Sequence, residues 1–249
     1  MNRDFLWRVE NACWTAWPAA ESKEVEGWVF RSSGGETRRT NSVNATSAAR
    51  SVKEVLRAAE GHYAQRGMPL LFRTLSFQPE FEEELTAAGF VPEGETCTLR
   101  ADLSDEAPHQ SASVESHSRP SAEWVADKLR ITHMSRDQER AYRKMLANLK
   151  VPVRFARVTH DGAGVSLAYG AIVDDILIIE SVVTDPDLRG KGLARNVVGA
   201  LMAWANNCGA EISCLQVVAN NAPGHALYRK LGFGVELYRY QYWRRSAGG

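Results

Sequence analysis

The sequence predicts an α/β protein, a mixed and mostly antiparallel twisted sheet flanked by helices. Three observations carry this expectation. Residues 153–243 alternate β-branched or aromatic runs with stretches of helical spacing. Two of those runs, PVRFARVTHDG and SLAYGAIVDD, read as a hairpin. The end of the second half can also be laid on the first half, strand then helix then Gly-Phe, at one offset of 143 residues from Gly89 to Gly232.

In chain order, TNSVNATSAARSVKEVLRAAEGHY occupies the place that VVTDPDLRGKGLARNVVGALMAW holds in the second half. PLLFRTLSFQPEFEEELTAAGF then matches SCLQVVANNAPGHALYRKLGF without a gap. Residues 104–121, SDEAPHQSASVESHSRPS, have almost no large apolar side chain and cannot bury enough surface to order themselves. They are expected to link a domain over 1–103 to a second over 122–249. His109 and His117 lie in that stretch at a spacing that fits no metal site. Beyond it, SAEWVADKLR and SRDQERAYRKMLANL have helical spacing, and the hairpin follows. ILIIESVVT is a buried strand, and GLARNVVGALMAWANNCG an amphipathic helix stopped at Gly209. Met202 and Trp204 fit the core stripe of that helix. SCLQVVA is a further buried strand, APGHALYRKLG a short helix, and VELYRYQYW an alternating aromatic strand. His133 and His225 read as packing or surface residues.

Composition narrows the function. Thirty basic and thirty acidic residues leave a net charge of zero over 249 residues, so no polyanion-binding surface is implied and nucleic acid is not an expected partner. Cys13, Cys97, Cys208 and Cys214 show no CxxC or metal-ligand spacing and read as buried free thiols in a reducing compartment; no metal is expected. No apolar run approaches the roughly 20 residues that span a bilayer, and MNRDFLWRVENACW lacks a signal-peptide core. A cytoplasmic protein without a membrane partner is expected.

The chemistry concentrates in DPDLRGKGLARN, residues 185–196, where a buried strand passes through a glycine-rich turn into a long helix. A helix N-terminus leaves backbone N–H groups unpaired and carries partial positive charge. Glycines let those amides curl around an anion, while Arg189, Lys191 and Arg195 add charge. A pyrophosphate would fit such a cradle. A P-loop is not present, because Gly192 is followed by Leu-Ala and not Lys-Ser; nor is a dinucleotide fingerprint, because Arg195 stands three residues past Gly192. An ordinary tight turn remains the alternative.

Arg-x-x-Gly-x-Ala opening a helix after a strand, followed by a strand, Asn221 and ALYRKLGF, resembles the GNAT superfamily of acyl-CoA-dependent N-acyltransferases. VTDPDLRGKGLARNVVGAL resembles its acyl-CoA signature and NAPGHALYRKLGF its following motif, with residues 123–243 covered. The first half resembles a degenerate repeat of the same fold, as in tandem members. The resemblance implies acetyl-CoA as acyl-donor substrate and an amine of a small molecule, peptide or protein as acceptor. It implies that Arg189 and the backbone of Gly190, Lys191, Gly192, Leu193, Ala194 and Arg195 hold the CoA pyrophosphate. Main-chain groups of Val182, Val183 and Thr184 would meet the pantetheine arm, and Asn221 would bond the pantetheine or the strand-helix junction. Tyr228 would protonate the leaving thiolate, and a backbone amide near Val183 would stabilise the oxyanion.

Glu180 is the candidate base. A carboxylate within an apolar run is unusual, and its other reading is a structural partner of a buried arginine or amide. The first half has Leu85 where the second has Tyr228, and no glycine between Asn44 and Arg50, so it should bind no CoA. Arg31, Arg39 and Asn41 could line an acceptor site from that half or form a solvated strand face. An acyl-CoA-binding sensor without catalysis is the competing function; an intact thiolate acid at Tyr228 speaks against it.

Overall fold

The structure, a computed structural model, describes residues 2–34, 37–103 and 114–245. Helix α1 (Arg3–Ala16) is capped by the Asn2 side chain, which accepts from the Asp4 amide. The first half continues as β1 (Glu21–Val25), β2 (Trp28–Ser32), β3 (Ser42–Ala45), α2 (Val52–Ala64), β4 (Leu71–Leu75), α3 (Glu80–Ala87) and β5 (Phe90–Asp102). The second half comprises β6 (Val114–His117), α4 (Ala122–Thr132), α5 (Arg136–Ala147), β7 (Val153–His160), β8 (Ala163–Val173), β9 (Ile176–Thr184), α6 (Leu193–Asn207), β10 (Ile212–Val218), α7 (Ala222–Lys230) and β11 (Val235–Arg245). Strand β6 corrects the expected linker. Residues 114–117 pair antiparallel with β7, where period-2 backbone bonding holds a segment too polar to pack by itself. Residues 104–113, including His109, lie outside the described residues; His117 ends β6 and is exposed.

All eleven strands form one sheet in the order β1-β2-β3-β4-β11-β5-β10-β9-β8-β7-β6. Three strands, a helix, a strand, a helix and a strand recur in both halves: β1 to β5 around α2 and α3, and β7 to β11 around α6 and α7. The parallel pair β3–β4 corresponds to the parallel pair β9–β10. The closing strands are exchanged. Strand β11 lies antiparallel to β4 of the first half, and β5 lies antiparallel to β10 of the second, with β5 and β11 paired at the centre. The two halves therefore share one hydrogen-bonded ladder instead of packing side by side.

Side-chain alternation splits the core between the two faces of the sheet. In β9, Ile176 and Ile178 join Leu6 of α1, Trp124 of α4 and Tyr142 of α5 on one face. Leu177 and Ile179 join Val197, Leu201 and Tyr228 on the face covered by α6 and α7. Trp28, Phe72 and Trp243 pack with α2 and α3. The aromatic alternation of β11 places Tyr238, Tyr240 and Tyr242 against α1, where Arg73 and Glu10 form a buried ion pair and the Tyr238 hydroxyl donates to Glu10. Cys13, Cys97 and Cys214 are buried and free as expected, whereas Cys208, at the end of α6, is exposed.

Candidate active site

The site begins where β9 and β10 part. They pair in parallel from Ile176↔Ile212 to Ile179↔Leu215 and no further, so from Glu180 onward β9 has no ladder on its β10 side. On its other side, β9 carries a bulge against β8: Tyr169 pairs with Glu180 and Leu167 with Val183. Ser181 in the bulge has φ of 58°, unusual for a residue with a Cβ. It is held from below. The Tyr142 hydroxyl lies 2.8 Å from Ser181 Oγ, and Lys128 Nζ donates to the Ser181 carbonyl at 3.4 Å. Val182 and Val183 fall on opposite faces, and Thr184 is tied to Ser166, with hydroxyl oxygens 2.9 Å apart.

The chain then turns. The Asp185 carboxylate accepts from the Asp187 amide at 3.2 Å and from Arg130 of α4 at 3.0 Å. Those bonds hold its carboxyl below the usual aspartate range. Gly190 and Gly192 adopt φ of 78° and 77°, and a Cβ at either would meet nothing within 4 Å. The glycines thus serve the left-handed turn and leave open space before α6, instead of admitting a protein neighbour. Gly192 caps α6 without a side-chain hydrogen bond. Arg189, Lys191 and Arg195 are exposed, and none is within salt-bridge distance of a carboxylate among the described residues. Exposed amides, a helix dipole and three unneutralised cations suit a pyrophosphate.

The matching place in the first half is filled. The Gly27 turn between β1 and β2 lies against Ala48 and Ala49 so closely that a Cβ on Gly27 would stand 2.1 Å from the Ala48 carbonyl oxygen. Amides of Thr46 and Arg50 donate at 3.1 Å to the Gly27 and Glu26 carbonyls. At the start of α2 the Val52 amide donates to the Glu84 carboxylate at 2.6 Å, and Ser51 and Glu54 form a capping box. An internal carboxylate occupies the helix N-terminus where the second half presents open amides.

Glu180, only 6% exposed, faces α1 and the first half. Arg39 Nη1 donates to both of its carboxylate oxygens at 2.7 Å, and the guanidinium lies 4.9 Å over the Trp17 ring. Burial alone would lower the Arg39 pKa, but the adjoining carboxylate outweighs that and holds it well above the usual range. Of the two readings of Glu180, the geometry matches the structural partner of an arginine, here one that keeps part of its surface. Arg39 belongs to a short 3-10 turn (Arg38–Thr40) and not to a strand. Arg31 and Asn41 are buried scaffold instead of a solvated face. Arg31 donates to the carbonyls of Trp14, Trp17 and Arg39, and Asn41 ties down Ser33, Gly34 and Thr37.

Tyr228 is buried on α7 with its ring 5.9 Å from Phe233, and no described residue hydrogen-bonds its hydroxyl. Burial, and then the negative charge of Glu180, push its pKa up to about 12. Asn221 caps α7, its side chain accepting from the Gly224 amide at 3.1 Å. Lys128 is the residue that pattern reading missed. It is 5% exposed, and burial lowers its pKa to about 8, although Glu180 opposes that shift. Nothing in SAEWVADKLR distinguishes it from a surface lysine. Among the described residues no cluster of His, Cys, Asp or Glu is suited to a metal ion, and no helix is long and apolar enough to cross a membrane.

The chain matches, over residues 6–243, the family described as "Probable histone acetyltransferase Rv0428c C-terminal". It is 25% identical over 235 residues to the uncharacterized N-acetyltransferase YobR of Bacillus subtilis (strain 168), covering 92% of this chain and 95% of that one. A shorter match, 29% over 92 residues, is to the [ribosomal protein bS18]-alanine N-acetyltransferase of Escherichia coli (strain K12), covering 37% of this chain and 62% of that enzyme. The fold superposes on a GCN5-related N-acetyltransferase from Kribbella flavida with a TM-score of 0.71 at 17% identity, covering 97% and 96% of the two chains. The parted strands, the open turn before α6 and these likenesses agree: the chain belongs to the family so described and is a GNAT-family N-acetyltransferase.

Proposed function

We propose that this enzyme transfers an acetyl group from acetyl-CoA to a primary amine by direct attack on the thioester, with one donor site per chain in the second half. The observation that carries this reading is the alignment of two openings on one strand. The unpaired edge of β9 from Glu180 to Thr184 leads directly to the Gly190–Gly192 turn. Residues 190–195 would hold the pyrophosphate, with Arg189 adding charge, and Val182, Val183 and Thr184 would meet the pantetheine arm. The free amine attacks the carbonyl carbon and gives up a proton to solvent. A β9 amide at the bulge receives the oxyanion. The carbon–sulfur bond then breaks, and the thiolate takes the Tyr228 proton.

Glu180 serves here as a positioning residue. Both oxygens of this carboxylate are engaged by Arg39, and the pairing fixes the first half against β9. The repeated element order supports a duplication in which only the second half kept its donor site. Three buried free thiols fit a reducing, cytoplasmic compartment. The test is to incubate the full chain with acetyl-CoA and an amine panel while following free thiol and acetylated product. Donor binding without product from any amine would favour a sensor.

A further inference from the structure

A cavity of about 350 Å³ lies on the α1, α4 and α5 face, between the Arg38–Thr40 turn of the first half and helix α5 of the second. It reaches the site through two of its lining residues. Tyr142 bonds Ser181 of the β9 bulge, and Trp17 lies beneath the Arg39 guanidinium that grips Glu180. The Trp17 and Tyr142 rings stand 5.8 Å apart, and Met134 and Met145 extend the apolar wall. No charged side chain among the described residues lines it. Thr40 Oγ1, on a residue 1% exposed, and Trp17 Nε1 are closed off from the cavity and have no hydrogen-bond partner among the described residues.

The described surroundings disfavour a polycation. A second, polar cavity of about 450 Å³ shares Ala141 with the first and carries Arg140, Lys144 and Asp137. Asp137 already pairs with Arg140 at 3.2 Å, which leaves Lys144 without a carboxylate partner among the described residues. A lysine-rich chain emerging from the first cavity would meet net positive charge among the described residues.

We propose that this cavity is the acceptor site, and that its substrate class is a compact primary amine with an apolar or aromatic body, not a basic protein tail. The proposal rests on the acetyl-transfer reading above and deepens it. With the thioester at the β9 bulge, the amine would reach it past Tyr142, whose hydroxyl bonds Ser181, while its apolar body lies against the Trp17, Met134 and Met145 side chains.

The experiment uses the full chain with saturating acetyl-CoA and four probes: tyramine, phenethylamine, spermidine and a lysine-rich peptide. Free thiol and product mass are read, and acetyl-CoA binding is measured separately by calorimetry. Expected are kcat/KM values for tyramine and phenethylamine at least about tenfold above those for spermidine and the peptide. Ala141→Phe, which narrows the cavity from a half-buried position on α5, should raise KM for tyramine about tenfold and leave acetyl-CoA affinity unchanged. Met134→Ala, which widens it, should improve the bulkier tryptamine relative to tyramine. Preference for the peptide or spermidine overturns the proposal, as do tyramine kinetics indifferent to both variants. Acetyl-CoA binding with no reaction of either aromatic amine also overturns it while the donor site stands. Failure to bind acetyl-CoA instead overturns the acetyl-transfer reading.

Discussion

Arg39 and Glu180, 141 residues apart, meet in a two-pronged ion pair at 2.7 Å that joins the first half of the chain to the reactive strand of the second. Glu180 is nearly buried, whereas the Arg39 side chain keeps 24% of its surface. Arg39→Met would therefore strand a buried carboxylate and should cost about 3–5 kcal/mol. Glu180→Gln should cost less, because the freed guanidinium reaches water. The double variant should cost less than the sum, measured by chemical denaturation as a double-mutant cycle. With Glu180 as a positioning residue, the pH–rate profile of Glu180→Gln keeps its shape. An acid limb that disappears in this variant would restore the carboxylate as base.

The donor turn predicts a graded response. Gly192→Ala adds a Cβ into open space and strains only the backbone, so it should weaken acetyl-CoA binding modestly, on the order of 1 kcal/mol. Gly192→Glu brings bulk and negative charge to the same point and should weaken it far more. Calorimetry should give one site per chain, because the Glu84 carboxylate already occupies the α2 N-terminus. A second equivalent site, or equal effects of the two changes, would contradict the assignment.

How much of this was legible depends on the range of each signal. The turn at 190–192, the β9 run and the Tyr228 helix are local patterns, and the structure places them as read. The matching offset also exposed the repeated element order. The exchange of β5 and β11 was not legible, because both strands alternate in the same way and period alone does not choose a neighbour. Arg39 was ambiguous because its partner lies 141 residues away. The blocked counterpart turn depends on Gly27 and Glu84, which approach only in the folded chain.

Tyr228→Phe should lower turnover by about 10²–10⁴ and leave acetyl-CoA affinity nearly unchanged, since only the hydroxyl is lost. Burial raises that phenol to about 12, so it remains protonated across the working range. An alkaline loss of turnover near pH 9 should therefore persist in Tyr228→Phe if it arises from another group. Steady-state kinetics with a binding titration read both effects. Unchanged turnover would give the thiolate's proton to water and leave Tyr228 as a packing residue.

Lys128 supplies a prediction for stability and for the site together. Its ammonium is buried against the Ser181 carbonyl and lies 5.9 Å from the Tyr142 ring, while the nearby Glu180 is committed to Arg39. Its pKa is about 8 when folded, against about 10.4 in an unfolded chain. Below pH 8 both states hold the proton, and the folded state bears the full cost of burying the charge. Between about 8 and 10.4 the unfolded chain binds more protons, so stability rises with pH, by at most roughly 3 kcal/mol from this group. The buried tyrosines and cysteines act oppositely, because burial raises their pKa values. The difference between wild type and Lys128→Met cancels those contributions. Lys128→Met should be more stable than wild type at pH 7, with the gap closing as pH approaches 10.4. Because the bulge loses its anchor, kcat should fall in the same variant even where stability improves. A stability difference that stays flat from pH 7 to 10.4 would place the Lys128 ammonium in water.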